Sequence, residues 1–268
     1  MWDQTKTWLT AVIALAFLIG RADGPCLYAD TITLNSHNGD NVTVYYQDPS
    51  GSGKTYSVNA TAGQFDMTYN ASGGGSFNFY GFCVDLSHVV GDGTQYAVNP
   101  STTNNPNFSN WPNYGSETNA HAIAYVVNKY GSGAISNNDM AAAVQMTIWT
   151  LLGDGANGLT SLPTSNSGGN NVWFSGVGNG AMNDANSILA DVQNAAVGGV
   201  VANWYQDLYQ NQPPQLAGQS VVTATPEPAS MTLWAGIGLG CLAYGWGRHR
   251  LRDRSRDGNQ EAVSVPVA

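Results

Sequence analysis

Charged side chains make up only 10% of this 268-residue chain, against the usual quarter. Basic ones are the scarcest. Between Asp30 and Thr225 only Lys54 and Lys129 are basic, against twelve carboxylates, a net charge of −10 over that stretch. A surface of that sign repels phosphate backbones, which excludes nucleic acid as a partner of the body. Cysteine is almost missing, with only Cys26, Cys83 and Cys241 present. The lone mid-chain Cys83 and four scattered histidines have no metal-ligand spacing, so no metal site or cofactor is expected. What is abundant is glycine, with 32 residues, and apolar side chains, at 43%. That balance supports a real core with many turns and short strands, and it excludes wholesale disorder.

The two ends address the chain rather than fold it. Residues 1–29 read as a secretory signal: Lys6 gives a weak basic start, and Trp8 to Gly20 is an apolar run too short to span a bilayer comfortably. Cleavage after Ala29 is preferred over cleavage after Gly24, because Pro25 would hinder the peptidase. Cys26 in "DGPC" lacks the small-residue context of a lipid-anchor site. The other reading of this segment is an amphipathic core helix. At the far end, residues 226–256 join Pro226, Glu227 and Pro228 to about nineteen apolar or small residues and then to Arg248, Arg250, Arg252, Arg254 and Arg256. The arginines would stay on the cytoplasmic side of a membrane helix. This arrangement resembles the PEP-CTERM sorting signal, which implies an exosortase-type processing enzyme as partner and an exported protein of the cell envelope or extracellular matrix. A tail at 257–268 continues past the point where such signals usually stop. An ordinary single-span anchor is the other reading.

Between the ends, period-two alternation predicts strands at "TITLNS", "VTVYYQ", "TYSVNAT", "QFDMTY", "SFNFYGFCVDL" and "QYAVN". Helical patterns follow at Ala120–Tyr130, Asp139–Leu152 and Met182–Ala196, the second with Ser136 as its cap and Gly153 as its stop. "NWYQDLY" and "QSVVTAT" are expected as returning strands, and a long polar loop is expected from Asn99 to Thr118. Strands, then helices, then strands give an α+β fold: a β-rich barrel or sandwich with an inserted helical subdomain. Residues 30–210 are expected to form the extracellular domain and 211–225, with its paired prolines, a linker.

Once the ends are removed, Cys83 is the only cysteine of the delivered body, so an intramolecular disulfide is unavailable. The simple reading is a buried cysteine behaving as a small hydrophobe. The segment "NNDMAAAVQMTIWTLLGDG" changes the weighing. It is a nearly uncharged helix, apolar most of the way round, with Gln145 set among Ala141, Val144, Ile148, Trp149 and Leu152 on one face. Burying that carboxamide without partners costs roughly 2 kcal/mol or more. Either a strand backbone or water satisfies it, or Cys83 sulfur attacks its carbonyl, expels ammonia and leaves an internal thioester.

Three blocks in order, "GFCVD", "IAYVVNKYG" and "VQMTIW", resemble those of bacterial thioester domains, which carry an aromatic-Cys-aliphatic block, a middle aromatic block and a TQxA-type block. The resemblance covers Gly81 to Leu152. It implies a Cys83–Gln145 bond with Phe82, Tyr125 and Trp149 packed around it, and coupling to lysine amines of a surface protein or extracellular polymer. Val144 stands where the pattern has threonine and Thr147 where it has alanine. Such a device is consumed in use, so it is adhesion rather than enzymatic turnover. His88 and His121 are the histidines considered for proton transfer, and neither has a motif. A Cys-His hydrolase would need an orienter and an oxyanion hole that the sequence does not mark. "SGSGKT" is not a phosphate loop, because Asp48 occupies the place of its first glycine. "GDNV" and "GDGT" read as turns, with calcium binding the other reading. The alternative function is a noncovalent structural or carbohydrate- or protein-binding matrix protein with a buried free cysteine.

Overall fold

Alternating Ile32/Leu34 and Val42/Val44 bury one face of the first strand while their neighbours stay half-exposed, the pattern of a strand with one face on a core. The computed structural model describes residues 29–48, 52–86, 90–101, 117–155, 158–166, 169–207 and 220–225. The chain divides into two units, Met1–Ala224 and Thr225–Ala268, and every element below belongs to the first.

Strand β1 (Asp30–Gln47) pairs antiparallel with β2 (Thr55–Asn70) from Thr31↔Asn70 to Gln47↔Thr55. β2 then pairs with β3 (Ser76–Cys83), while the first residues of β1 pair with β4 (Gln95–Ser101). β4 pairs with β6 (Asn203–Asp207), and β7 (Val221–Thr223) bridges β6 and β3. The ring β1–β2–β3–β7–β6–β4 closes on itself as a six-stranded antiparallel barrel, which removes the raw edges of an open sheet. The short β5 (Val172–Ser175) pairs with the far half of β1, opposite Thr43 to Tyr46.

Between β4 and β6 lie α1 (Glu117–Tyr130), a 3₁₀ turn (Gly131–Ala134), α2 (Asn138–Asp154), β5 and α3 (Asn179–Asn194). The α+β class, the barrel and the helical insertion therefore hold. α2 is buried continuously from Ala141 to Gly153, as expected for a helix with almost no charge. It packs against β1, β2, α1 and α3.

Several local expectations are corrected. "TITLNS" and "VTVYYQ" are one strand rather than two, and so are "TYSVNAT" and "QFDMTY". The supposed turn at Gly39 is a cross-strand pair with Gly63. A Cβ at Gly39 would stand 2.0 Å from the Ala62 carbonyl oxygen, and one at Gly63 would stand 1.7 Å from that of Asn38. Glycine is there for close backbone approach, not for chain reversal. α2 is capped by Asn137, whose side chain accepts the Met140 N–H at 3.1 Å, and it ends at Gly155. Gly153 serves packing instead of termination. A Cβ there would meet Val172 Cγ2 at 2.2 Å, so the glycine lets β5 close on the helix end. The returning strand expected in "QSVVTAT" is present as Val221–Thr223, inside the stretch also assigned to a linker, and it completes the barrel with Val221 and Val222 fully buried.

The stretches expected as a signal segment (all but Ala29), a sorting triplet (Pro226–Pro228) and a membrane helix, and most of the expected 99–118 loop, lie outside the described residues. Among the described residues no helix is long and apolar enough to cross a membrane.

Candidate functional site

β3 loses its neighbour partway along. Its ladder with β2 runs from Asn70↔Ser76 to Phe65↔Gly81 and ends there. Beyond that point β2 bonds elsewhere: Gln64 Nε2 donates to the Gly131 carbonyl at 2.8 Å, and Gly63 pairs with Gly39. On its other side β3 is held by β7, through Phe82↔Val222, Cys83↔Val221 and a bond from Val84 N to Ser220 O at 2.9 Å. Successive residues of a strand aim their backbone groups at opposite neighbours. The N–H and C=O of Cys83 therefore point at the place β2 has left.

Gln145 fills that place. Cys83 N donates to Gln145 Oε1 at 2.9 Å, and Gln145 Nε2 donates to Cys83 O at 2.8 Å. The carboxamide reproduces the pair of bonds a strand residue would have made, and both side chains are completely buried. Each bond satisfies two groups that would otherwise cost about 1–3 kcal/mol apiece. The two residues singled out in the sequence, separated by 62 positions, thus meet.

The sulfur folds over its own turn. Cys83 Sγ donates to the Asp85 carbonyl at 2.7 Å and accepts from Asp85 N at 3.2 Å. Burial pushes the thiol pKa well up, and the Asp85 carboxylate adds to that; the Asp85 backbone and the Trp149 indole N–H pull weakly the other way. The group is a neutral thiol, so any chemistry at sulfur must begin by passing on its proton. Trp149 sits one helical turn beyond Gln145, on the same face. Its ring stacks on Phe174 with centroids 6.3 Å apart. Its buried N–H has no properly aligned acceptor and lies beside the thiol. Phe82, also buried, packs beneath the 3₁₀ turn at Gly131.

Tyr125 has other company. Its hydroxyl donates to Asp191 Oδ2 at 2.7 Å, as does that of Tyr130 at 2.7 Å, and Lys129 Nζ reaches the same oxygen at 2.8 Å. Lys129 also donates to the Tyr125 hydroxyl and lies 5.2 and 5.4 Å from the centroids of the Tyr125 and Tyr130 rings. This cluster ties α3 to α1 at the surface. Lys129 and the tyrosine hydroxyls hold the Asp191 carboxyl down at about 2. Burial, reinforced by Asp191, pushes Tyr130 up to about 12. Asp191 raises Lys129 further above its ordinary value.

His121 is anchored on the Val200 carbonyl at 2.6 Å, and His88 lies outside the described residues. A third histidine, passed over in the sequence, has the more telling partner: His37 Nδ1 is 2.8 Å from Asp92 Oδ1. Nothing in "NSHNGD" marks it, since the two residues are joined only by the fold. Among the described residues no three His, Cys, Asp or Glu side chains cluster to hold a metal. No family model, curated protein or solved structure matches this chain.

Proposed function

We propose that this protein is an exported envelope or extracellular protein in which Cys83 and Gln145 join as an internal thioester that couples to partner amines. The observation that carries the reading is the reciprocal pairing of the Gln145 carboxamide with the Cys83 backbone, in full burial. It holds the amide group next to the residue that bears the sulfur, which lowers the cost of bringing the two groups together. Sulfur adds to Gln145 Cδ, the thiol proton passes to the amide nitrogen, the C–N bond breaks and ammonia leaves. A partner lysine amine then attacks Cδ, the C–S bond breaks, and the Cys83 thiol is regenerated beside a new isopeptide bond. Exclusion of water protects the acyl group until then. No cofactor enters either step, and the site is spent after one coupling. Export and sorting by an exosortase-type enzyme rest on residues 1–29 and 226–256.

One observation favours a second reading. The carboxamide already has a partner at each end, and the thiol has its own on Asp85. In that case Gln145 is only a plug in the β3 ladder of a noncovalent matrix protein. Intact mass of the purified body separates the two. A deficit of one ammonia, lost in both Cys83→Ala and Gln145→Ala, supports the thioester. A full-length mass with an alkylatable thiol supports the plug.

A further inference from the structure

Cys83 and Gln145 expose no surface at all, so an amine can reach them only through a neighbour that moves. A cavity of about 190 Å³ points to which neighbour. Among the residues that line it are His37, Ala60, Thr61, Phe65, Val90 and the almost fully buried Trp149. Trp149 is 3% exposed. Trp149 therefore borders the cavity and, one helical turn from Gln145 on the same face, also borders the buried pair. The Trp149 N–H is buried and poorly satisfied, so little hydrogen bonding holds the ring in place.

The walls suit a particular visitor. Ala60, Phe65 and Val90 offer apolar contact to a chain of methylenes. At the rim, His37 is engaged by the exposed carboxylate of Asp92 at 2.8 Å, which favours a cationic head. We propose that this cavity is the entrance through which a lysine side chain reaches the Cys83–Gln145 pair, with Trp149 as its inner door and Asp92 as the charge that selects for a cation. The substrate class rests on the thioester reading, while the entrance can be tested on the bare thiol.

The experiment uses Gln145→Leu, in which no thioester can form, with Gln145→Glu as a second background that keeps an acceptor for the Cys83 N–H. Cys83 is modified with a cationic methanethiosulfonate and with a neutral one; each forms a mixed disulfide and releases methanesulfinate. Ala60→Trp, which fills the cavity, should slow both reagents roughly tenfold or more, and Trp149→Ala should speed both by a similar factor. Asp92→Asn should lower the cationic-to-neutral rate ratio several-fold. Unchanged rates in Ala60→Trp, or no acceleration in Trp149→Ala, would overturn the entrance. An unchanged ratio in Asp92→Asn would overturn the charge selection. Should the parent protein show no ammonia deficit, the thioester reading fails by itself, and these rates still judge the route.

Discussion

The Gln145 carboxamide and the Asp191 carboxylate both gather their partners from distant stretches of chain, one in the core and the other at the surface. Gln145 is neutral, fully buried and satisfied by one residue's backbone. Asp191 is charged, partly exposed and shared among two tyrosines and a lysine. A low-dielectric interior strengthens a satisfied hydrogen bond and punishes an orphaned one, whereas solvent screens a surface ion pair and supplies substitute partners. The buried pair should therefore be rigid, costly to break and insensitive to salt. The surface cluster should be cheap to break and should respond to pH.

Breaking the buried pair gives the largest effect. Gln145→Ala strands the Cys83 N–H and C=O and leaves a void, and should cost about 3–5 kcal/mol, read as a lower urea midpoint. If the midpoint hardly moves, water has entered and the junction is not dry. Asp191→Ala should cost less, about 1–2 kcal/mol, because exposed partners regain water. A loss in Asp191→Ala equal to that in Gln145→Ala would erase the contrast.

The pH profile sharpens it. The Asp191 carboxyl is depressed from 3.8 to about 2, so its stabilisation is present above 3.8 and is lost as pH falls toward 2. Asp191→Asn should flatten that part of the acid limb. Lys129 is raised above 10.5, and its share fades as pH rises past that value. A free Cys83 thiol is raised above 9.0 by burial, so the unfolded chain ionises first and stability falls as pH climbs from 9.0. A thioester has no such proton. An alkaline limb that begins near the ordinary thiol value and vanishes in Cys83→Ala marks a free thiol; its absence in the parent protein marks the acylated form. This is the most diagnostic of the effects.

The barrel was legible where one face is apolar at period two, as in Ile32/Leu34 and Val42/Val44, and α2 was legible because it is apolar most of the way round and almost free of charge. The hairpin was misread at Gly39, since an Asn-Gly-Asp run in a ladder looks locally like one in a turn. Only its pairing with Gly63 distinguishes them, and that contact is long-range. β5 was missed because four residues, Val172–Ser175, carry little periodicity, and their partner lies far back in β1. Gln145 stood out as a polar side chain in an apolar stripe, and Cys83 as a thiol without a mate. That β2 leaves β3 at Gly81, and so creates the gap Gln145 fills, could not be read from either residue. His37 and Asp92 gave no signal, because only the approach of β1 to the loop before β4 brings them together.

β7 is the last strand of the barrel, and it is the one that covers β3 beside Cys83. A chain synthesised from its N-terminus onward contains Cys83 long before Val221 to Thr223 are made. Until they are, β3 and β6 both carry unsatisfied edges, open to pairing with any passing strand. A product truncated before Ser220 would therefore leave the Phe82–Val84 end of β3 without its partner strand, beside the buried sulfur.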